Sequence, residues 1–232
     1  MSTPPAPQGP PLSFEDVPLS PRHARPLTLE VPEHETVAVL GDEDSGVNAL
    51  GGYALALEAP RGGRIRVYGT ALEDLPEHER LAFRRRVGYL PAGDALLQNL
   101  SLRDNVALPL RFGSGLPGRE IDGRVNVMLA AVRLTELAKL RPAQVNEEGR
   151  RRAGFARAMA FDPALLILEQ PFDGITSRAA AELLEIARGG ETASGARRTI
   201  LLTGQELPPL LLRRADRVYR LSRTGALELE TA

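Results

Sequence analysis

An apolar run from Thr36 to Leu40 stops at Gly41, and after Asp42, Glu43, Asp44 and Ser45 comes Gly46. Two glycines at that separation, behind a strand-like run and ahead of small and apolar residues, follow the frame G-x-x-x-x-G-K-[ST]. In that frame backbone N–H groups cradle phosphates, a Lys reaches the outer oxygens and a hydroxyl holds magnesium. Here Val47 stands at the Lys position and Asn48 at the hydroxyl position. The loop has the outline of a phosphate site without its cation, and it carries acids between its glycines. Two like charges about 4 Å apart repel by roughly 4 kcal/mol at an effective dielectric of about 20, so the loop's charge opposes a triphosphate. Taken alone, the segment is also a strand-to-helix turn in which glycine supplies backbone freedom.

Such a loop needs a sheet to hold it. LSFEDVPL, LTLEV, ETVAVLG and GRIRVYG read as short strands bounded by turn residues. The run at 36–41 is continuous rather than alternating, as in a strand buried on both faces. It leads through Gly41 into a helix expected over 47–58, the first step of a parallel α/β unit. LPEHERLAFRRR reads as a charged amphipathic helix and VGYLP as the next strand.

From about residue 93 to 160 the pattern turns helical. Ile121, Val125, Met128, Leu129 and Val132 fall on one face, and FARAMAF carries the pattern to Asp162-Pro163. ALLILEQP returns as a buried strand, followed by a helix over 177–188, the strand RTILLTG, a short helix near 207–213 and the strand RVYRLS. Strands alternating with helices and interrupted by one helical block predict an α/β fold with a parallel sheet and a helical lobe. The start, STPPAPQGPP, has a composition that resists helix and sheet and is expected to be a disordered tail over 1–11.

The 232 residues hold 29 Lys+Arg against 30 Asp+Glu, a net charge of -1. No global basic field steers such a chain to nucleic acid or an anionic lipid surface, so a membrane role would pass through a protein partner. Cysteine is absent, which removes disulfides, thiolate catalysis and Cys-based metal sites. No stretch reaches the roughly 18 apolar residues of a spanning helix, and no signal-peptide core is seen; the expected location is cytoplasmic. His23, His34 and His78 lack ligand spacing, so no metal site is expected. The runs Arg84–Arg86 and Arg150–Arg152 read as solvated faces.

Several of these segments, in order over roughly residues 12–223, resemble the nucleotide-binding subunit of an ABC transporter. Beyond the opening loop, VGYLPAGDALLQNLSLRDNVALPLR is similar to the region with which that family senses nucleotide and grips its membrane partner. RRRAGFARAMAFDPALLILEQPFDGI is similar to its signature helix and second phosphate-site strand, and TILLTGQEL to the strand and switch that follow. NVALPLR, LPGREIDGRV and PFDG are most similar to the lipid-asymmetry-type members. The resemblance implies a P-loop NTPase-like parallel core at 12–92 and 161–232, with an antiparallel β subdomain and an all-helical subdomain at 93–160. It also implies a permease partner bound in the groove lined by LRDNVALPLRF, which would hold the protein at the inner face of the plasma membrane.

Carried over by position, the magnesium-linked Asp falls at Glu169, the general base at Gln170, the sensing Gln at Ala92 and the switch His at Gly204. The signature segment falls on Val145, Asn146, Glu147, Glu148 and Gly149. An aromatic that stacks on adenine has only His23 to stand for it. Gln170 cannot accept a proton from water as a carboxylate does. These departures predict a vestigial phosphate loop, no working catalytic residue, ATP-magnesium bound weakly at best, and a non-catalytic partner of a permease or of an active ATPase subunit. In the family two cassettes face head to tail, so in a homodimer Glu147 and Glu148 would meet the acidic loop and close poorly, whereas over the loop of an active homologue they would lie near its Lys and stand in for a γ-phosphate; the bland reading of the pair is a solvated helix start. A divergent working transporter ATPase and a stand-alone interaction protein are the two other readings.

Overall fold

The computed structural model describes residues 9–20, 23–93, 95–189 and 197–230. In chain order the elements are β1 (Leu12–Val17), β2 (Leu27–Val31), β3 (Thr36–Leu40), α1 (Leu50–Ala54), β4 (Arg64–Val67), α2 (Glu77–Arg84), β5 (Val87–Leu90), α3 (Leu102–Gly113), α4 (Gly118–Ala131) and α5 (Glu147–Ala158). Then come β6 (Leu165–Glu169), α6 (Ser177–Arg188), β7 (Thr199–Gly204), α7 (Pro209–Leu212), β8 (Arg217–Leu221) and β9 (Leu227–Leu229).

The apolar runs become the centre of a six-stranded sheet, ordered β5-β6-β7-β3-β8-β9. Every residue of β3, β6 and β7 is buried, as their unbroken apolar sequence requires. Neighbours from β5 to β8 run parallel, and β9 closes the edge antiparallel to β8. β2, β1 and β4 form a separate antiparallel sheet. The period of two along β3 divides the interior: Ala38 and Leu40 join the cluster that includes α3 to α6, while Val37 and Val39 join the cluster shared with β1, β2 and β4. Burying each large aliphatic side chain stabilises by roughly 1.5–3 kcal/mol, and neither cluster needs a ligand to complete it.

Register brings the strand ends together. Leu40 pairs with Gly204, Glu169 with Thr203 and Leu90 with Leu168. The carboxyl ends of β5, β6, β7 and β3 therefore meet at one edge, where open α/β sheets place their ligands.

Three expectations change. The helix expected over 47–58 is a short 3-10 turn, Val47–Ala49, followed by α1, which ends at Ala54. Gly51 and Gly52 are poor helix formers, and Ala56 at φ 48° turns the chain away. β9 was not expected, because Leu227–Leu229 is three residues long and mostly exposed. Residues 1–8, most of the segment read as a tail, lie outside the described residues, whereas Pro11 is buried and its carbonyl accepts from Tyr68 N–H at 3.0 Å. Among the described residues no helix is long and apolar enough to cross a membrane.

Candidate functional site

The loop after β3 is closed by its own hydrogen bonds. Ser45 N–H donates to the Asp42 carbonyl at 3.0 Å, and the buried Ser45 hydroxyl donates to the same carbonyl at 2.6 Å while accepting from Val47 N–H at 3.3 Å. Gly41 N–H donates to the Gly204 carbonyl at 2.9 Å. A Cβ at Gly41 would meet Ser45 Oγ at 2.3 Å and Leu221 O at 2.8 Å, and Gly46 sits at φ 75°, so both glycines are structural requirements of this turn.

Val47 is fully buried and belongs to the apolar cluster between the two sheets. The position that in the phosphate-loop frame sends an ammonium to phosphate here sends two methyls into the core. The cation at the loop is Arg223, from the β8–β9 turn, whose Nε donates to Asp42 at 2.6 Å and whose Nη1 lies 3.9 Å from Asp44. This bond from Arg223, aided by the backbone N–H groups of Asp44 and Ser45, holds the Asp42 carboxyl below the usual carboxylate range. The loop's Ser45 and Val47 N–H groups are meanwhile taken up by the Asp42 carbonyl and the Ser45 hydroxyl. Nothing in the loop motif pointed to Arg223; the only signal was a basic residue in the turn SRTG.

At the opposite wall Glu169 is 6% exposed. Its Oε2 accepts from Ala92 N–H at 3.2 Å, while Oε1 points at α1 without a hydrogen bond of good geometry. A Cβ on Gly51 would sit 2.2 Å from that oxygen. Gln170, at φ 44°, donates through Nε2 to Asn48 Oδ1 at 3.4 Å, so two sequence-predicted positions touch each other. Ala92 contributes its backbone N–H alone. Gly204 contributes a carbonyl and has open space where a side chain would be, its Cβ position meeting only Gln170 Cα at 3.9 Å. His23 packs its ring on Gly225, and burial lowers its pKa.

Burial raises the Glu169 pKa, against the opposing bond from Ala92 N–H. A carboxyl that is harder to ionise in the folded state stabilises most below its unfolded value of 4.5 and loses that advantage as pH rises toward the folded value. The stability difference between the parent and a Glu169→Leu variant is therefore expected to shrink as pH rises from 4 to 7 in denaturant titrations. A difference that stays flat across this range would contradict a raised pKa.

The signature positions stand apart, at the start of α5. Val145 precedes the helix, and Asn146 caps it, its Oδ1 accepting from Gly149 N–H at 2.9 Å. Glu148 turns inward: Oε1 accepts from Arg152 Nε at 2.9 Å, and Arg152 also binds Glu182 at 2.9 Å. Glu147 leans over Gly174, where a Cβ would meet its carboxyl carbon at 2.1 Å. Of the two carboxylates expected to face a partner, Glu148 is already paired with Arg152 of its own chain. The solvated-face reading of Arg150–Arg152 fails too, because Arg151 is 4% and Arg152 8% exposed. In the other run Arg84 donates to the carbonyls of Leu55 and Ala56, both at 2.8 Å, closing the end of α1.

Residues 24–173, spanning the loop, the signature positions and the Glu169 strand, match the family model described as ABC transporter. The chain belongs to the ABC transporter family. It is 32% identical over 162 residues to the methionine import ATP-binding protein MetN 2 of Pseudomonas aeruginosa, an alignment that covers 70% of this chain and 48% of that relative. The chain thus spans about half the length of the curated relatives it matches. Among solved structures, a bacterial ABC transporter cassette described as dimeric superposes with a TM-score of 0.81 at 21% identity, covering 95% of this chain and 97% of that one. An ATP-binding subunit of an ABC transporter superposes at 0.75 with 26% identity, covering 94% and 89%. This ABC cassette therefore has the architecture its sequence predicted, on a site whose named positions hold one another.

Proposed function

We propose that this cassette is a non-catalytic subunit of an ABC transporter, contributing shape and docking to a permease or to an active ATPase subunit. The observation that carries the reading is the loop itself: Val47 buried in the core and Asp42 bound by Arg223. The residues do not fit ATP-magnesium. No Lys extends from the loop, its Ser45 and Val47 N–H groups bond to the Asp42 carbonyl and the Ser45 hydroxyl, the hydroxyl position is an amide, and the general-base position is an amide bound to it. Of the Glu169 carboxylate, Oε2 already accepts from Ala92 N–H while Oε1 has no hydrogen bond.

Docking to a permease is supported by a groove of about 620 Å³ that includes Tyr89, Leu108, Pro109, Phe112, Arg157 and Phe161. Phe112 is 83% exposed on its rim, the kind of apolar surface that marks an interaction site. Such docking would hold the subunit at the inner face of the membrane. The narrower lipid-type reading rests on NVALPLR, LPGREIDGRV and PFDG alone; the relatives found are named for methionine import, and the proposal assigns no substrate.

The test is calorimetric titration of the full chain with Mg-ATP, together with phosphate release. The expected result is affinity no tighter than about 1 mM, that is about 4 kcal/mol of binding free energy, and no turnover. Micromolar binding would favour the divergent ATPase instead. A stand-alone interaction protein is the reading left if no permease co-purifies.

A further inference from the structure

Between β5 and α3 the chain passes from the sheet to the helical lobe through a connector whose described residues, 91–93 and 95–101, have no helix or strand of their own. Loops of this kind commonly leave backbone groups to water and open easily. Here side chains from both sides hold them. Ala92 N–H is bound by Glu169 on β6, as above. The Gly93 carbonyl accepts from Arg151 Nη1 at 2.5 Å and the Ala95 carbonyl from Arg157 Nη1 at 2.7 Å, both from α5. Asn105 on α3, fully buried, accepts from Leu97 N–H at 2.7 Å and donates to the carbonyls of Leu97 and Ser101 at 3.1 and 3.0 Å. Arg151 also donates through Nη2 to the Asp173 carbonyl at 3.3 Å, so one buried guanidinium joins the connector to the turn after β6.

We propose that these side chains form an internal latch that fixes the helical lobe on the sheet core in the absence of nucleotide. The inference deepens the non-catalytic reading and rests on it, because Glu169, which holds the connector, belongs to the same site. Its consequence is mechanical. Glu169 holds one end of the connector beside α1, and Arg157, which also lines the groove, holds the middle. A latched lobe presents the groove in one conformation, which lowers the ordering cost of docking. Arg151 is then a positioning residue, acting on the connector and on the Asp173 turn together.

Hydrogen–deuterium exchange on the full chain tests this, comparing the parent with and without Mg-ATP, Arg151→Met, which keeps the side-chain volume, and Arg157→Ala at a half-buried position. The expected parent is protected at the hydrogen-bonded Leu97 and Leu100 amides, equally with and without Mg-ATP. Arg151→Met is expected to raise exchange roughly tenfold in the connector and in residues 171–176 together, the scale of a lost charge-assisted hydrogen bond. Arg157→Ala is expected to raise it in the connector alone. Parent-like exchange in the connector of both variants would overturn the latch. A rise spread evenly over α4 and α6 in Arg151→Met would overturn the positioning role of that residue, leaving Arg157→Ala to decide for the connector. Slower connector exchange in the parent on adding Mg-ATP would count against the non-catalytic reading, while the two variants still decide the latch.

Discussion

Arg152→Ala is expected to destabilise the fold by about 3–5 kcal/mol, the range for removing one partner from a buried ion pair. The side chain is 9% exposed and binds Glu148 at 2.8 Å and Glu182 at 2.9 Å, while Nη1 donates to the Val132 carbonyl at 3.2 Å. Its removal leaves Glu148, 34% exposed, without its cation, and Glu182, 23% exposed, with Arg133 Nε at 2.7 Å as its remaining partner. Urea unfolding at neutral pH measures the loss. Adding Glu148→Gln and Glu182→Gln to Arg152→Ala is expected to recover part of it, since neutral amides tolerate the vacated site better. Arg124→Ala, on an exposed face of α4, is the comparison and is expected to stay within about 0.5 kcal/mol of the parent. If Arg152→Ala behaves like Arg124→Ala, the Arg150–Arg152 run is a solvated face after all.

The second large effect lies at adjacent glycines of α1. Helix propensity alone favours Ala over Gly by up to about 1 kcal/mol at either position. Space separates them. A Cβ at Gly51 would lie 2.2 Å from Glu169 Oε1 and 2.9 Å from Tyr89 Cε2, whereas at Gly52 the nearest atom is Glu58 Cδ at 3.8 Å. Glu169 cannot swing aside freely, because Ala92 holds Oε2 and the side chain is buried. Gly51→Ala is therefore expected to cost about 1–3 kcal/mol, as overpacking does, and Gly52→Ala to be neutral or stabilising. In thermal unfolding Glu169→Ala should cost less in the Gly51→Ala background than in the parent, a coupling of about 0.5–3 kcal/mol between touching sites. Additive losses would mean that the carboxylate does not occupy the space over Gly51.

Much of the fold was legible because it rests on local chemistry. Unbroken apolar runs such as TVAVL and LLILE can be satisfied only in strands covered on both faces, and helical periodicity marked the lobe from α3 to α5. The ends of α1 and the existence of β9 were less legible, because short elements owe their stability to neighbours. The anionic character of the loop was also visible, since Asp42, Glu43, Asp44 and Val47 are adjacent in sequence.

Partners at a distance were not legible. Arg223 lies 181 residues from Asp42, and no local pattern links them; the β8–β9 turn delivers it. Arg150–Arg152 reads as three equivalent charges, yet α5 packs Arg151 and Arg152 inward because a helix points successive residues in different directions. Glu147 and Glu148 are likewise alike in sequence, and only Glu148 finds an arginine one turn on. The sequence by itself determined that Val47 and Gln170 stand where the phosphate-loop frame and the family place a Lys and a general base, because residue identity does not depend on folding. Only the tertiary structure decided what fills their place, Arg223 on Asp42, Asn48 on Gln170 and Glu169 under Gly51, because those contacts depend on which strand ends the parallel register brings together.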